Sequence, residues 1–333
     1  MMTRLIQIQQ GNIRKVGVIE EPRIRLLANC ASIYELATAA LETEAKLTAL
    51  VQQSRTAETL DYDEIYAGAS AWRILPAVDH PEEPARCLVT GTGLTHTASA
   101  KNRDAMHAKS DNLTDSMKIF QWGIEGGRPE ADRIGVAPEW FYKGGGAVLR
   151  GHGEPLLVPA YAEDGGEEPE VAGIYLIGRD ERPYRIGFAV GNEFSDHQFE
   201  KRNYLYLAGS KLRNCAIGPE LAIDHEFQSV PGSVSVERDG HTLWSHEIKT
   251  GDAEMCHSLR NIEHHHFKFE GHRRPGDLHV HFFGADAFSF GAGIRLNDGD
   301  VMTVRFEDFG RPLRNPVKVD PAADAVVSVT PLG

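Results

Sequence analysis

The stretch that decides the fold runs from residue 167 to residue 221 and reads EEPEVAGIYLIGRDERPYRIGFAVGNEFSDHQFEKRNYLYLAGSKLRNCAIGPEL. It sets carboxylates against two apolar runs that are typical of strands. Glu168 and Glu170 lead into the first run, VAGIYLIG, and Glu193 follows the second, RIGFAV. The turn-forming segment RDERP lies between the runs, so the pattern predicts a β-hairpin. That hairpin would bring Glu193 back beside the first two glutamates.

This spacing of carboxylates favours a cation site. Glu168 and Glu170 would share one side of an extended strand, with Cα atoms roughly 6.5–7 Å apart. Pro169 between them cannot donate a ladder hydrogen bond, which favours a strand start or an edge. Three adjacent carboxylates stay ionised together only around a hard divalent cation, and oxygen ligands favour Mg²⁺, Mn²⁺ or Ca²⁺ over zinc. The competing interpretation is a solvated acidic loop, because charge runs usually face solvent.

Composition narrows the class of protein. The chain has 333 residues, of which 41% are hydrophobic and 25% charged, the balance of a folded protein with room for one large domain and a small one. Its net charge of −13 and its lack of a long basic cluster argue against nucleic acid as a partner. No run reaches the roughly 20 apolar residues of a membrane helix, and the first residues lack a secretory apolar core. Four cysteines without CxxC spacing indicate reduced thiols in a cytoplasmic protein.

The first part of the chain predicts a compact mixture of strands and helix. LIQIQQGNIRKVGVIEEPRIRLLA reads as two or three short strands joined at Gly11-Asn12 and Glu21-Pro22. SIYELATAALETEAKLTALVQQ has the period of one amphipathic helix, with Ser32 as its N-cap. The pattern of the sequence changes near residue 85.

Beyond that point short apolar runs alternate with Gly and Pro, which predicts many strands of ordinary length. Helical pieces are expected near 98–110, 113–122 and 252–265. The predicted fold class is therefore α+β: a small α+β domain over residues 1–85, followed by a mixed or antiparallel β-roll over residues 86–333.

Several motifs, taken in order, resemble those of the fumarylacetoacetate hydrolase superfamily. EEPEVAGIYLIG is similar to its E-x-E pair opening a strand, GFAVGNEFSDHQFE to its N-D-x-S segment, and YLAGSKLRNCAIGPEL to its lysine followed by Gly-Pro. PEWFYKGGGAVLRGHGEPLLVP and the closing PGDLHVHF and LNDGDVMTVRFEDFGRPLRNPV extend the resemblance over roughly residues 88 to 318. The resemblance implies that the β-roll has this superfamily's fold, that the enzyme binds Mg²⁺, and that it forms a homodimer or homotetramer.

The resemblance also implies roles for individual residues. Glu193 stands where the family has Asp, Lys211 matches the lysine near the metal, and Lys143 matches the lysine of the F-x-K stretch. The implied set is Glu168, Glu170 and Glu193 for the metal, Ser195 and Asp286 for substrate, and Lys211, Lys143, His96 and Ser99 for catalysis. Asp286 enters because FGADAFSFGAG replaces the family's substrate-contacting T-G-T.

One family motif is missing. Hydrolases of the superfamily show G-[LI]-N-Y-x-x-H-x-x-E, whose His and Glu activate water. In GTGLTHTASAKN, aligned from Gly93-Leu94, Ser99 falls on the His position and Asn102 on the Glu position. The branch that dehydrates 2-keto-3-deoxy sugar acids lacks this pair too, and NYLYLAGSKLRNCAIGP is similar to a segment of its 2-keto-3-deoxy-arabonate dehydratases. The resemblance therefore implies a Mg²⁺-dependent lyase of sugar catabolism that converts a 2-keto-3-deoxy pentonate to 2,5-dioxopentanoate.

Alternatives remain open at this point. Lys211 could be the base or only an ion-pair partner of a metal ligand, Lys143 could be a carboxylate clamp, and His96 could be a packed histidine. A hydrolase cleaving a C–C bond of a 2,4-diketo-3-deoxy sugar acid and a non-catalytic sugar-acid-binding protein are the competing functions. In each case the partner is a small anionic sugar acid, with no nucleic acid and no membrane.

A histidine-rich segment, NIEHHHFKFEGHRRPGDLHVHF, does not predict zinc. The consecutive His264, His265 and His266 point in different directions on a helix. His279 and His281 share a strand face, but the segment lacks the spacing of a zinc site, which favours cross-strand polar packing.

Overall fold

The protein, seen in a computed structural model, is described over residues 2–97 and 114–333. Its helices in these ranges are α1 (Ile33–Glu42), α2 (Leu47–Ser54), α3 (Tyr62–Tyr66), α4 (Asp115–Gly126), α5 (His197–Arg202), α6 (Leu207–Lys211) and α7 (Leu259–Phe267). Single 3₁₀ turns cover Pro84–Arg86, Gly146–Val148, Tyr204–Tyr206, Glu270–His272 and Ser289–Ala292. The helices are short and the strands numerous, so the predicted α+β class is confirmed.

The strands form two sheets. In chain order they are β1 (Arg4–Gln10), β2 (Ile13–Glu20), β3 (Arg23–Leu27), β4 (Arg55–Asp61), β5 (Arg73–Ile74), β6 (Cys87–Gly93), β7 (Glu139–Gly145), β8 (Leu149–Arg150), β9 (Leu156–Val158), β10 (Pro169–Ile177), β11 (Pro183–Asn192), β12 (Cys215–Ala222), β13 (Val230–Arg238), β14 (His241–Thr250), β15 (Leu278–Phe282), β16 (Val301–Phe306) and β17 (Leu313–Val319). Within the described residues the larger sheet runs β4-β3-β2-β1-β12-β11-β10-β15-β6-β7, with β5 beside β1 and β8 beside β12. The smaller sheet runs β14-β13-β16-β17-β9. Most pairs are antiparallel, but β15–β6, β12–β8 and β17–β9 are parallel, so the sheets are mixed.

The N-terminal strands match the prediction, while the N-terminal helix does not. β1, β2 and β3 turn at the predicted points, and the Ser32 hydroxyl caps α1 by accepting from the backbone N–H of Glu35. The prediction of a single helix over this region is wrong, because α1 ends at Glu42 and α2 begins at Leu47. Glu44 adopts a left-handed backbone with φ 52°, which an α-helix cannot continue through.

The predicted division near residue 85 stays a prediction. β1 pairs with β12, with Leu5 opposite Leu221, so strands from both sides of that division lie in one sheet.

Of the other predicted helices, one forms near its predicted position, one begins later than predicted and one lies outside the described residues. The segment near 113–122 forms α4, capped by Thr114 and continuing to Gly126. The segment near 252–265 becomes helical only at Leu259, because the Ser258 hydroxyl caps α7 there. The predicted piece near 98–110 lies outside the described residues.

The predicted hairpin is formed by β10 and β11, with Pro169 opposite Asn192 and Glu170 opposite Gly191. Every residue of β10 is buried because both faces of the hairpin are covered. Ala172 on one face joins the core that includes the N-terminal helices, and Val171 on the other joins the core against the smaller sheet. The hairpin therefore delivers its carboxylates into the interior of the protein.

Candidate metal centre and active site

The three glutamates of the hairpin converge at its open end. Each offers one carboxylate oxygen, and these three atoms all lie within 4.8 Å of one another. The exposed fractions are 7% for Glu168, 1% for Glu170 and 0% for Glu193. The backbone fixes this arrangement, since the Glu193 N–H donates to the Glu168 carbonyl at 3.0 Å. The alternative of a solvated acidic loop is wrong for this triad of carboxylates.

Two buried lysines neutralise part of the triad's charge. Lys211, at the end of α6, donates to Oε1 of Glu168 and to Oε2 of Glu193, both at 2.6 Å. Lys143, on β7, donates to Oε1 of Glu193 and, at 2.9 Å, to the carbonyl of Phe194. Both side chains are almost fully buried. Among the described residues, two ammonium groups facing three carboxylates leave one negative charge that no lysine offsets.

The pKa shifts indicate that Glu170 is the carboxylate whose negative charge is least offset. Burial and the neighbouring carboxylates of Glu193 and Glu168 raise the pKa of Glu170 well above its usual range. Burial would also raise the pKa of Glu168, but Lys211 and His197 outweigh it and hold that pKa well below the usual range. Without a cation the ionised form of Glu170 is therefore disfavoured. A hard divalent cation fits the site because it would offset the repulsion among these carboxylates and all of its protein ligands would be oxygens.

His197 is a site residue that the sequence analysis missed. Its Nε2 lies 2.9 Å from Oε1 of Glu168, and the side chain is 3% exposed. The ring stacks on Phe288, with centroids 4.8 Å apart, and lies 5.1 Å from the ring of Phe290. The structure explains why the second residue of the Gly-Gly pair before the E-x-E motif is glycine: a Cβ at Gly166 would lie 2.3 Å from Nδ1 of His197.

Glu139 is a second missed residue. β7 alternates, so that Glu139, Phe141 and Lys143 are buried while Trp140 and Tyr142 are exposed. The ring of Phe141 lies 4.7 Å from Nζ of Lys211, which places the inner face of β7 against the triad. The Tyr204 hydroxyl donates to Oε2 of Glu139 at 3.2 Å. The sequence PEWFYKG shows the alternation, but it does not show which face of the strand is buried.

The remaining predicted residues are spread more widely. Ser195 is buried beside the triad and its Oγ donates to Oε2 of Glu193 at 2.9 Å. Asp286 accepts instead from the backbone N–H of Lys249 at 3.0 Å. His96 is buried between the hydroxyls of Thr95, at 2.9 Å, and Thr250, at 3.2 Å. Burial lowers the pKa of His96 to about 4. Ser99 lies outside the described residues.

The histidine-rich segment packs as the sequence suggested. Nε2 of His266 lies 2.9 Å from Nδ1 of His279, and Nε2 of His265 lies 2.9 Å from the Gly135 carbonyl. Both ring nitrogens of His281 meet threonine hydroxyls at 2.8 Å. Across residues 2–97 and 114–333, the glutamate triad is the one group of three His, Cys, Asp or Glu side chains whose ligand atoms converge. In the same ranges no helix is long and apolar enough to cross a bilayer.

Comparison with known proteins shows which solved enzymes share this fold. No family model matches the chain. A probable 2-keto-3-deoxyxylonate dehydratase of Haloferax volcanii is 29% identical over 189 residues, covering 54% of this chain. The match spans 59% of the length of that relative.

Solved structures cover nearly the whole chain. A 2-keto-3-deoxy-D-arabinonate dehydratase in its apo form superposes with a TM-score of 0.70 at 20% identity, covering 96% of this chain and all 100% of that one. The same enzyme complexed with magnesium and 2,5-dioxopentanoate gives 0.69 at 20% identity, over 95% and 99% of the two chains. A 5-carboxymethyl-2-hydroxymuconate delta-isomerase from Mycobacterium smegmatis gives 0.58 at 15% identity, over 95% and 100%.

These comparisons bear on the fold. The chain has the α+β fold of these solved enzymes, which agrees with the resemblance predicted from the sequence. The sequence relative and the structures with the higher of these TM-scores are named as dehydratases of 2-keto-3-deoxy sugar acids.

Proposed function

We propose that the protein is a Mg²⁺-dependent dehydratase of a 2-keto-3-deoxy sugar acid. The observation that carries the proposal is the buried glutamate triad with Lys211 hydrogen-bonded to two of its members. A pentonate substrate and 2,5-dioxopentanoate as product are supported by the similar solved structure, whose complex contains magnesium and that compound. The Haloferax relative is also named for a 2-keto-3-deoxy pentonate.

Glu168, Glu170 and Glu193 would hold the cation. When bound, Mg²⁺ supplies Lewis-acid polarisation of the 2-keto group, which makes the protons on C3 more acidic. Mn²⁺ and Ca²⁺ are alternatives for the same oxygen ligands. Ser195 and Lys143 both donate to Glu193 and so orient that carboxylate.

Lys211 is our candidate for the base. Its Nζ lies at the triad, and once neutral it can accept a proton from C3. The C4 hydroxyl then leaves as water after receiving a proton. We assign that proton to Glu139, because Glu139 lies on the inner face of β7 while Lys143 is bound to Glu193 and Phe194. Loss of this water leaves a double bond between C3 and C4. A proton then leaves C5 and another is added at C3, which moves the double bond to C4–C5, and the resulting enol becomes the C5 aldehyde when C4 gains a proton and the C5 hydroxyl loses one. The net change is the loss of one water.

The hydrolase alternative needs a base that activates water. His96 was the residue that could supply one, but its two hydrogen-bonding partners among the described residues are threonine hydroxyls. We therefore keep hydrolysis of a 2,4-diketo-3-deoxy sugar acid as an outcome of the test.

Two further proposals concern the assembly and its location. We keep a homodimer or homotetramer as the proposed assembly; its support is the exposed apolar segment near the C-terminus, where Val326, Val327 and Val329 are each at least 90% exposed. We keep the cytoplasm as the proposed location, supported by four free cysteines.

Product analysis by mass spectrometry tests the activity. The protein is incubated with Mg²⁺ and a panel of 2-keto-3-deoxy pentonates and hexonates and their 4-keto derivatives. A product lighter by one water, absent with EDTA and with Glu170→Gln, is the expected result. Glu220→Gln is the matched control, because Glu220 is also buried but bonds Tyr62 and the backbone of Arg311. Pyruvate with a second, smaller acid would identify a hydrolase, and a bound but unchanged substrate would identify a binding protein.

A further inference from the structure

The segment that supplies the candidate metal ligands also holds a distant loop. This loop, residues 284–290 with the sequence GADAFSF, follows β15 and replaces the family's T-G-T. Three residues of the Glu167–Glu170 segment reach it by different contacts. None of these contacts is needed to explain how the triad would hold a cation.

The first contact comes from Glu167. Its side chain is 0% exposed, and Oε1 accepts from the Ser289 backbone N–H at 2.6 Å while Oε2 accepts from the Ser289 hydroxyl at 2.9 Å. Both donors are neutral. A buried carboxylate held in this way is costly, so its position calls for a role beyond packing. Its effect on the structure is to fix the far end of the 284–290 loop.

The second contact comes from Glu170. Its Oε2 accepts from the Gly284 backbone N–H at 2.6 Å. Gly284 has a φ of +95°, and a Cβ there would lie 2.1 Å from the Thr95 hydroxyl, so the first residue of the loop lies tightly against Thr95. One carboxyl group of the triad is therefore also the anchor for the near end of the loop.

The third contact runs through His197. Its ring lies between Oε1 of Glu168 and the ring of Phe288, and Phe290 closes a further side. Nδ1 of His197 is buried, has no hydrogen-bond partner within residues 2–97 and 114–333, and faces Gly166. The ring therefore has little freedom to turn, and a shift of Glu168 is transmitted to Phe288.

We propose that the Glu167–Glu170 segment sets the position of the 284–290 loop, with Glu167 and His197 as positioning residues, so that a divalent cation at the triad tightens the loop. The cation-dependent part of this proposal rests on the proposed function, because it requires that the triad bind a divalent cation. The loop begins at the backbone N–H that donates to Glu170, so its position shapes the wall beside the bound substrate. Glu167 and His197 would thus act on substrate affinity through the loop and through Glu168, without touching the reacting atoms.

Hydrogen–deuterium exchange measures the loop directly, because the amides of Gly284 and Ser289 are the donors in two of the contacts. In the wild-type protein we expect Mg²⁺ to slow exchange of the 284–290 peptide. In Glu167→Ala we expect exchange there to be about tenfold faster, with and without Mg²⁺, which is the effect of losing hydrogen bonds to a carboxylate. Glu167→Gln keeps an acceptor for the Ser289 N–H and should restore most of the protection.

Matched variants separate positioning from loss of folding. Glu220→Gln removes a buried carboxylate that also accepts from a backbone N–H and a hydroxyl and, in addition, pairs with Arg4 at 2.9 Å; it should leave the 284–290 peptide unchanged. Ser289→Ala approaches the same contact from the loop and should loosen the peptide by less than Glu167→Ala. His197→Phe keeps a ring against Phe288 but loses the bond to Glu168. We expect it to weaken Mg²⁺ binding in calorimetry by about 10–100-fold, whereas Glu167→Ala leaves that binding within about threefold.

Several outcomes would overturn the proposal. Unchanged exchange of the loop in folded Glu167→Ala would show that Glu167 does not hold it. Wild-type protein that binds Mg²⁺ in calorimetry but exchanges equally with and without it would remove the coupling. A wild-type protein that fails to bind Mg²⁺ would remove both the coupling and the proposed cation site. Protection by Mg²⁺ without any lyase product would leave the coupling standing and overturn only the proposed reaction. Where the reaction is present, Glu167→Ala should raise KM more than it lowers kcat.

Discussion

The Nζ atom of Lys211 lies 2.6 Å from Oε1 of Glu168, so the candidate base is hydrogen-bonded to a candidate metal ligand. A second bond of equal length joins Lys211 to Glu193. The lysine is thus a counter-charge for the carboxylates of the triad, and a cation bound there would repel it. The sequence left two interpretations open for Lys211: the ion pair is present in the structure, and the role as base stays a prediction.

Lys211→Met separates these two roles. We expect turnover to fall by about 10²–10⁴-fold, because a general base is lost. Mg²⁺ binding should be retained or become tighter, because an ammonium group that competes for the carboxylates is removed. Steady-state kinetics and calorimetry on the same preparation check both effects. Turnover within about threefold of wild type would contradict the assignment of Lys211 as the base.

Glu170→Gln tests the metal site through stability. At Mg²⁺ concentrations 100-fold above Kd, the free energy of unfolding of the wild type should rise by about 2.7 kcal/mol, and that of the variant should not. In EDTA the variant should be at least as stable as the wild type, because glutamine mimics a protonated carboxyl group and does not repel Glu193. Denaturation monitored with and without Mg²⁺ gives both values. A full Mg²⁺ effect in Glu170→Gln would exclude this residue as a ligand.

Gly166→Ala tests the fit around His197 without changing any charge. The added Cβ would lie 2.3 Å from Nδ1 of His197, so the ring must move. We expect a destabilisation of about 1–3 kcal/mol and weaker Mg²⁺ binding, because the bond from His197 to Glu168 is disturbed. Gly271→Ala is the control, since nothing lies within 4 Å of a Cβ at that position. Equal Mg²⁺ affinities in the two variants would argue against a link from Gly166 to the metal site.

The buried histidines predict acid lability. Burial lowers the pKa of His279 to about 3, with His272 adding repulsion, and that of His281 to about 3, with His279 and His272 adding repulsion. It also holds the pKa of His266 well below the usual range. Between pH 6.5 and about 3 the unfolded chain binds protons that the native state does not, so stability present above pH 6.5 is lost as the pH falls through this window.

The variant His279→Phe measures how much of this pH dependence of stability comes from one histidine. The slope of unfolding free energy against pH should become shallower by up to about 1.4 kcal/mol per pH unit in this window. Urea unfolding at several pH values gives the slope for wild type and variant. Identical slopes would mean that His279 is protonated in the native state at these pH values.

Local patterns were sufficient to predict the hairpin, but not its register. The turn pairs Tyr175 with Arg185, and a β-bulge between Ile174 and Tyr175 shifts the register by one residue, so that Glu170 lies opposite Gly191. The same locality explains why the cap at Ser32 was predictable, since its partner is three residues away. The break between α1 and α2 was missed because no Gly or Pro marks it and Glu44 takes the left-handed conformation.

The sequence by itself determined the strand pattern, the hairpin that gathers three glutamates and the motifs of a known superfamily, because these depend on residues close together in the chain. Only the tertiary structure decided which side chains meet across long separations. Glu167 and Ser289 are 122 residues apart, and Lys143 and Glu193 are 50 apart. Such contacts arise when the sheets pack and bury both partners, and nothing in the local period of either segment encodes them. Glu139 illustrates both cases. The alternation of buried and exposed residues around it is local, but the packing of Phe141 against Lys211 decided which face of β7 lies towards the triad.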